Sequence, residues 1–163
     1  MSQPELLLQP PIPRPMTMVN PRSIMGSSAW MVIREATVAA CGGRCDACGR
    51  KHKDGVEAHE CYEIDYKRYR MTFTRVVGLC YKCHKYIHLG FMKSLVRKGD
   101  MSERELHEII SRGDKIIKKA RHLFKFPRIG GEGVWHKWRL VYDGKEYGPK
   151  FKNAAAWEKF YGS

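Results

Sequence analysis

Cys45-Asp46-Ala47-Cys48 opens the stretch that decides how this chain folds, and Leu79-Cys80-Tyr81-Lys82-Cys83-His84, followed by His88, closes it. Glu57-Ala58-His59-Glu60 lies between them. Two Cys-x-x-Cys pairs thus bracket the stretch, with 31 residues between Cys48 and Cys80. Two sulfurs from one tight turn reach one side of a tetrahedral ion, and a second such turn supplies the other two. The spacing predicts a structural zinc on Cys45, Cys48, Cys80 and Cys83. Cys41 and Cys61 are left over and read as small buried apolar residues.

Outward from these pairs, Val56 to Asp65 alternates as a strand, with Val56, Ala58, Tyr62 and Ile64 on its apolar face. A turn near Lys67-Arg68 returns the chain through Met71, Phe73 and Val76-Val77. A helix is expected from about Tyr81 to about Arg97. His84 and His88 stand one turn apart on it and share a face. Upstream, Ser27 or Ser28 caps a helix that Gly42-Gly43 ends, with Trp30 in the core. Downstream, Ser102-x-x-Glu105 is a capping box before a long helix that keeps its phase across Gly113, where a kink is expected. Pro127 and Gly130 to Gly133 form a linker. Trp135 to Tyr142 and Lys145 to Phe151 read as a hairpin turning at Asp143-Gly144, and Asn153 caps a last helix. Six of the eight prolines fall in the first 21 residues, which predicts an extended arm packed through Leu6, Leu7, Leu8 and Ile12.

The charge points to a partner. Thirty Lys and Arg oppose 17 Asp and Glu, and +12 of the net +13 lies after residue 41. Such an excess favours a polyanion, with nucleic acid, and duplex DNA in particular, the expected partner. No apolar run is long enough to span a bilayer, and Leu6-Leu7-Leu8 is too short for a signal-peptide core. Cysteines in ligand-like pairs fit a reducing compartment, so a cytoplasmic protein with no membrane partner is expected. Near the C-terminus, Trp135, Trp138, Tyr142 and Tyr147 interleave with Lys137, Arg139, Lys145, Lys150 and Lys152. Those five cations read either as a DNA-contacting set or as the solvated rim of an aromatic mini-core.

The run from Cys45 to His88 resembles the HNH endonuclease family, of the zinc-bracketed kind found in bacteria and phages. The likeness covers roughly residues 20–100. It implies a ββα-metal site in which one divalent ion (Mg2+, Mn2+, Ni2+ or Zn2+) acts on the scissile phosphate while a base activates water. Carried onto this chain, it implies that His84 and His88 ligate that ion. For His59 and Glu60 two alignments compete. In one, His59 is the general base, and the neighbouring acidic ligand is replaced by Ala58. In the other, His59 is the third ligand, as in the nuclease colicins, and Glu60 is the base; this second is preferred. Strand alternation, which points Glu60 away from His59, counts against it, as does the weak basicity of an ordinary carboxylate. Arg75 stands where the family has its central Asn, and is assigned here to DNA contact. Glu60, His59 and His84 are accordingly the expected catalytic residues.

The fold expected is α+β: a small HNH-like ββα-metal core with a four-cysteine zinc clamp, flanking helices, and a C-terminal β-hairpin plus helix. Its segments are an arm over 1–26, the core over 27–126, and a basic aromatic module over 134–163. The function expected is metal-dependent hydrolysis of DNA. The alternative is a zinc-dependent DNA-binding or interaction protein that keeps the fold without catalysis, which Ala58 and Arg75 favour.

Overall fold

The structure, a computed structural model, describes residues 2–162. The elements run α1 (Pro21–Met25), α2 (Ser27–Cys41), β1 (Glu57–Asp65), β2 (Arg70–Leu79), α3 (Tyr81–Ile87), α4 (Leu89–Lys98), α5 (Glu103–Ala120), β3 (Arg139–Tyr142), β4 (Lys145–Tyr147) and α6 (Ala154–Tyr161). The four strands form one sheet in the order β1-β2-β3-β4. Four residues join β1 to β2, too few for a parallel crossover, so the pair is a hairpin. The class is α+β with a mixed sheet.

The chain folds into two compact units. The first takes the N-terminus to Pro11, Arg34–His59 and Val76–Pro127; the second takes Ile12–Ile33, Glu60–Arg75 and the chain from Arg128 onward.

In the first unit Met92, Met101 and Ile109 form a core, with Tyr86, Leu95 and Leu106 against it. Helix α5 feeds that core because Ile109, Gly113, Ile117 and Ala120 recur at helical spacing and are buried. Ser102 caps it by accepting from Glu105 N at 3.1 Å. The reciprocal half of the expected capping box is not made, since Glu105 Oε1 instead accepts from Tyr81 Oη at 2.8 Å. The helix runs through Gly113 as a single element. Gly113 is there for room: a Cβ would collide with the Tyr86 ring, whose hydroxyl donates to Asp114 Oδ1 at 2.8 Å.

One further expectation is corrected in this unit. The helix begun at Tyr81 does not continue to Arg97 but breaks at His88 (φ −99°, ψ 34°). His88 N closes a short turn onto Lys85 O, while His88 O starts the next helix by accepting from Met92 N. Gly90, a poor helix former, lies two residues further on. The break leaves His88 as the C-cap of α3 and the N-cap of α4.

The second unit is built on Met16, Val19, Met71, Trp138 and Leu140, with Tyr62, Ile64, Tyr66, Phe73 and Tyr142 packed around them. Strand β3 pairs with β2 in parallel, Arg70 to Thr72 against Arg139 to Val141. The C-terminal hairpin therefore extends the central sheet. It is shorter than expected: Trp135–Lys137 is a 3-10 turn, and β4 ends at Tyr147. Asn153 caps α6 by accepting from Ala156 N at 2.9 Å, as its sequence predicts.

The proline-rich arm is not extended throughout. It carries 3-10 turns at Pro4–Leu8 and Arg14–Met16, and then α1, which Asn20 and Ser23 close as a reciprocal capping box with Pro21 at the first helical position. Leu6 and Leu7 are buried in the first unit, but Ile12 is exposed. Arg14 anchors the second turn with a two-pronged pair to Glu132 (2.7 and 2.9 Å), a bond to Glu158 at 3.2 Å, and a stacking position 5.2 Å from the Trp157 ring.

Candidate metal centres

The first unit contains both cysteine pairs and all three histidines singled out above. Cys45 and Cys48 flank a tight turn in which Gly49 N closes onto Cys45 O. Cys80 is the N-cap of α3, and Cys83 lies in its first turn. Asp46 ties the two knuckles together: its carboxylate accepts from Gly78 N, and its own N donates to Gly78 O, each at 2.8 Å. Gly78 has no room for a side chain, because Cys41 Sγ sits where a Cβ would be.

The four sulfurs lie within 4.8 Å of one another. Tetrahedral zinc with bonds of about 2.3 Å places its sulfurs about 3.8 Å apart, so the cluster could hold a metal ion such as zinc. Hydrogen bonding from Cys45, and then from Cys80 and Cys83, drives the Cys48 thiol well below its ordinary range. The surroundings also suit bound thiolates. Arg112 Nη2 donates to Cys48 Sγ at 3.7 Å, and His52 Nε2 is 3.6 Å from the same sulfur. A guanidinium there offsets the negative charge of four thiolates on one dication. Of the left-over cysteines, Cys61 is buried and Cys41 is half-buried, its thiol 3.6 Å from Asp46 Oδ2.

His59, His84 and His88 form a second group, again with ligand atoms within 4.8 Å of one another. Their ring centroids make a nearly equilateral triangle with sides of 5.1, 5.1 and 5.0 Å, and each pair of rings is steeply inclined. His59 projects from β1 and is only 8% exposed. The strand face read as polar is therefore covered at this point, and Cys61 beside it is buried too. Burial, reinforced by His84 and His88, lowers the His59 pKa to about 3, so its ring is neutral at ordinary pH. That is the form a metal ligand or a base requires. Burial, then the charges of His84 and Lys85, also lowers His88, although its outer edge faces solvent.

Glu57 completes this group and was not singled out in the sequence. Its Oε2 lies 2.5 Å from His84 Nδ1. A carboxylate can only accept, so Nδ1 carries the hydrogen of this contact and Nε2 is the ring nitrogen left to face a metal. Carboxylate–histidine pairs of this kind orient metal-ligating imidazoles. A signal for it exists: Glu57 precedes His59 by two residues and so shares its strand face.

The remaining candidates belong to the second unit. Glu60 has its Oε1 buried without a hydrogen-bond partner, and Tyr62 Oη is in the same position. Burial raises the Glu60 carboxyl, with the Arg22 charge opposing. Glu60 is not a member of the three-histidine group. Arg75 is exposed on β2. Of the five C-terminal cations, Lys137 sits 6.0 Å above the Tyr69 ring. Arg139 is turned inward, donating to His136 O and Trp138 O at 2.7 Å each. Lys145, Lys150 and Lys152 are exposed. No helix among the described residues is long and apolar enough to cross a membrane.

Comparison of the chain with protein-family models, with curated proteins and with solved structures gives no match in any of the three.

Proposed function

We propose that this protein is a metal-dependent DNA endonuclease of HNH type, hydrolysing phosphodiester bonds at the His59–His84–His88 group. The observation that carries the reading is the triangle of imidazoles, one of them braced by a carboxylate, in the same unit as a four-cysteine cluster. Three converging imidazoles are a donor set for a divalent ion, which, bound there, would polarise a phosphoryl oxygen and stabilise the leaving oxygen. The four cysteines serve structure, holding the start of α3, and hence His84, in place.

In this reading Glu57 fixes the ring of His84 and leaves its Nε2 for the ion. His59 is the third ligand, or else the base; Glu60 alternates to the other face of β1, beside Tyr62, and is not among the groups that meet at the histidines. The net charge of +13 supplies the attraction to the DNA backbone, with Lys137, Lys145, Lys150 and Lys152 available at the C-terminal module.

Nicking of supercoiled plasmid, with magnesium, manganese, nickel or zinc supplied in turn, tests the reading against the triple variant His59→Ala/His84→Ala/His88→Ala. The wild type is expected to cut with at least one of these ions, and the triple variant to show no cutting above background. His59→Ala should weaken the metal if His59 is a ligand, and should abolish the rate with metal affinity nearly intact if it is the base. A wild type that binds DNA but cuts with none of the four ions selects the non-catalytic alternative, with Ala58 and Arg75 as the departures responsible.

A further inference from the structure

Helix α5 has a second face besides the one in the core. Glu108, Arg112, Lys115 and Lys119 recur at steps of four, three and four, and so project from one side. That side lines a cavity of about 700 Å³ within the first unit, which Arg50 from the cysteine turn, Lys82 from α3 and Pro4 from the N-terminal turn also line. Glu108 is the one carboxylate among the lining residues, and it is already committed to Lys82 at 2.9 Å and Arg104 at 3.5 Å. Arg112 is turned to Cys48. Arg50, Lys115 and Lys119 make no ion pair among the described residues and remain uncompensated around one concavity. The other part of the wall is apolar, with Pro4, Ile116 and Leu123.

Like charges gathered in a concavity repel one another, and an anion relieves that repulsion. A bare inorganic anion would leave most of the volume and the apolar wall unused. A phosphate joined to a sugar and a base satisfies both sides. We propose that this cavity binds a nucleotide unit of a nucleic-acid strand, its phosphate toward Arg50, Lys115 and Lys119 and its sugar and base against Pro4, Ile116 and Leu123. The inference rests on the nucleic-acid part of the reading above and not on its chemistry. It assigns the strand a second anchoring point in the same unit as the histidines.

Fluorescence anisotropy of a short labelled single strand tests it, using the full zinc-loaded chain without added divalent ion. Lys115→Gln/Lys119→Gln removes two charges from the cavity. Lys118→Gln/Lys125→Gln removes two from exposed positions outside it. Circular dichroism and zinc content establish that both remain folded. The cavity pair should weaken binding at least about tenfold near 0.1 M salt and lower the salt slope by about two, while the outside pair changes affinity at most about threefold. Lys115→Arg/Lys119→Arg should restore binding. Equal losses in the two glutamine pairs, or none in the cavity pair, would overturn the proposal. So would a free mononucleotide whose affinity depends on Lys115 and Lys119 when the strand's does not. A wild type that cuts no DNA but shows the cavity dependence leaves this inference standing and removes only the proposed reaction.

Discussion

Glu57 is the residue on which the chemistry of the histidine group turns. An imidazole offers a metal one nitrogen, and the partner of the other nitrogen decides which one it is and how the ring is held. At His84 the carboxylate 2.5 Å from Nδ1 makes that choice. Glu57→Gln keeps the shape but replaces an anionic acceptor with a neutral amide. The expected outcome is a 10- to 100-fold loss of affinity for the divalent ion at the histidines, the usual cost of removing such a partner, with zinc at the cysteines unchanged. Calorimetric titration of manganese or nickel into the zinc-loaded variant measures it. Unchanged affinity would mean that Glu57 does not orient His84 toward a metal.

At the scale of elements, the sequence was legible where the signal was local. The two cysteine pairs, the caps at Ser102 and Asn153 and the Asp143-Gly144 turn each depend on neighbours within a few residues, and each forms where expected. It was less legible where the decisive partner is distant in sequence. Nothing near Arg139 announces a parallel ladder with Arg70 to Thr72. The break at His88 was also missed, because the apolar spacing of Ile87, Phe91 and Leu95 continues through it. The arm misled for a different reason: proline excludes regular helix interiors but is well suited to first turns, and Pro4, Pro15 and Pro21 are used there.

The phase of α5 across Gly113 has a stability consequence of its own. Alanine normally favours a helix interior over glycine by about 1 kcal/mol. Here the added Cβ meets the Tyr86 ring, which its hydrogen bond to Asp114 holds in place. Overpacking of this kind costs about 1–3 kcal/mol. Gly113→Ala is therefore expected to lower the midpoint of thermal unfolding. A raised midpoint would show that Tyr86 does not pack across the helix at this position.

At the scale of the whole molecule, two kinds of donor cluster share one folded unit. The first unit closes a modest core around Met92, Met101 and Ile109, and a metal held by the four cysteines would contribute folding free energy that so small a core lacks. The histidine group depends on the same scaffold, because Cys83 and His84 are consecutive residues of α3 and His59 lies on β1. The three histidines, singled out in the sequence, lie together in the fold, whereas their carboxylate partner became visible only there. The claim that everything else leans on is that these imidazoles hold a metal. Crystals of the protein grown with manganese, measured for anomalous scattering at two wavelengths, test it most directly. The account predicts one peak, strong above the zinc edge, at equal distance from the sulfurs of Cys45, Cys48, Cys80 and Cys83. It predicts a second, manganese peak bounded by ring nitrogens of His59, His84 and His88. A zinc peak at the cysteines with no density for an ion among the histidines, at manganese concentrations that support binding elsewhere, would contradict it.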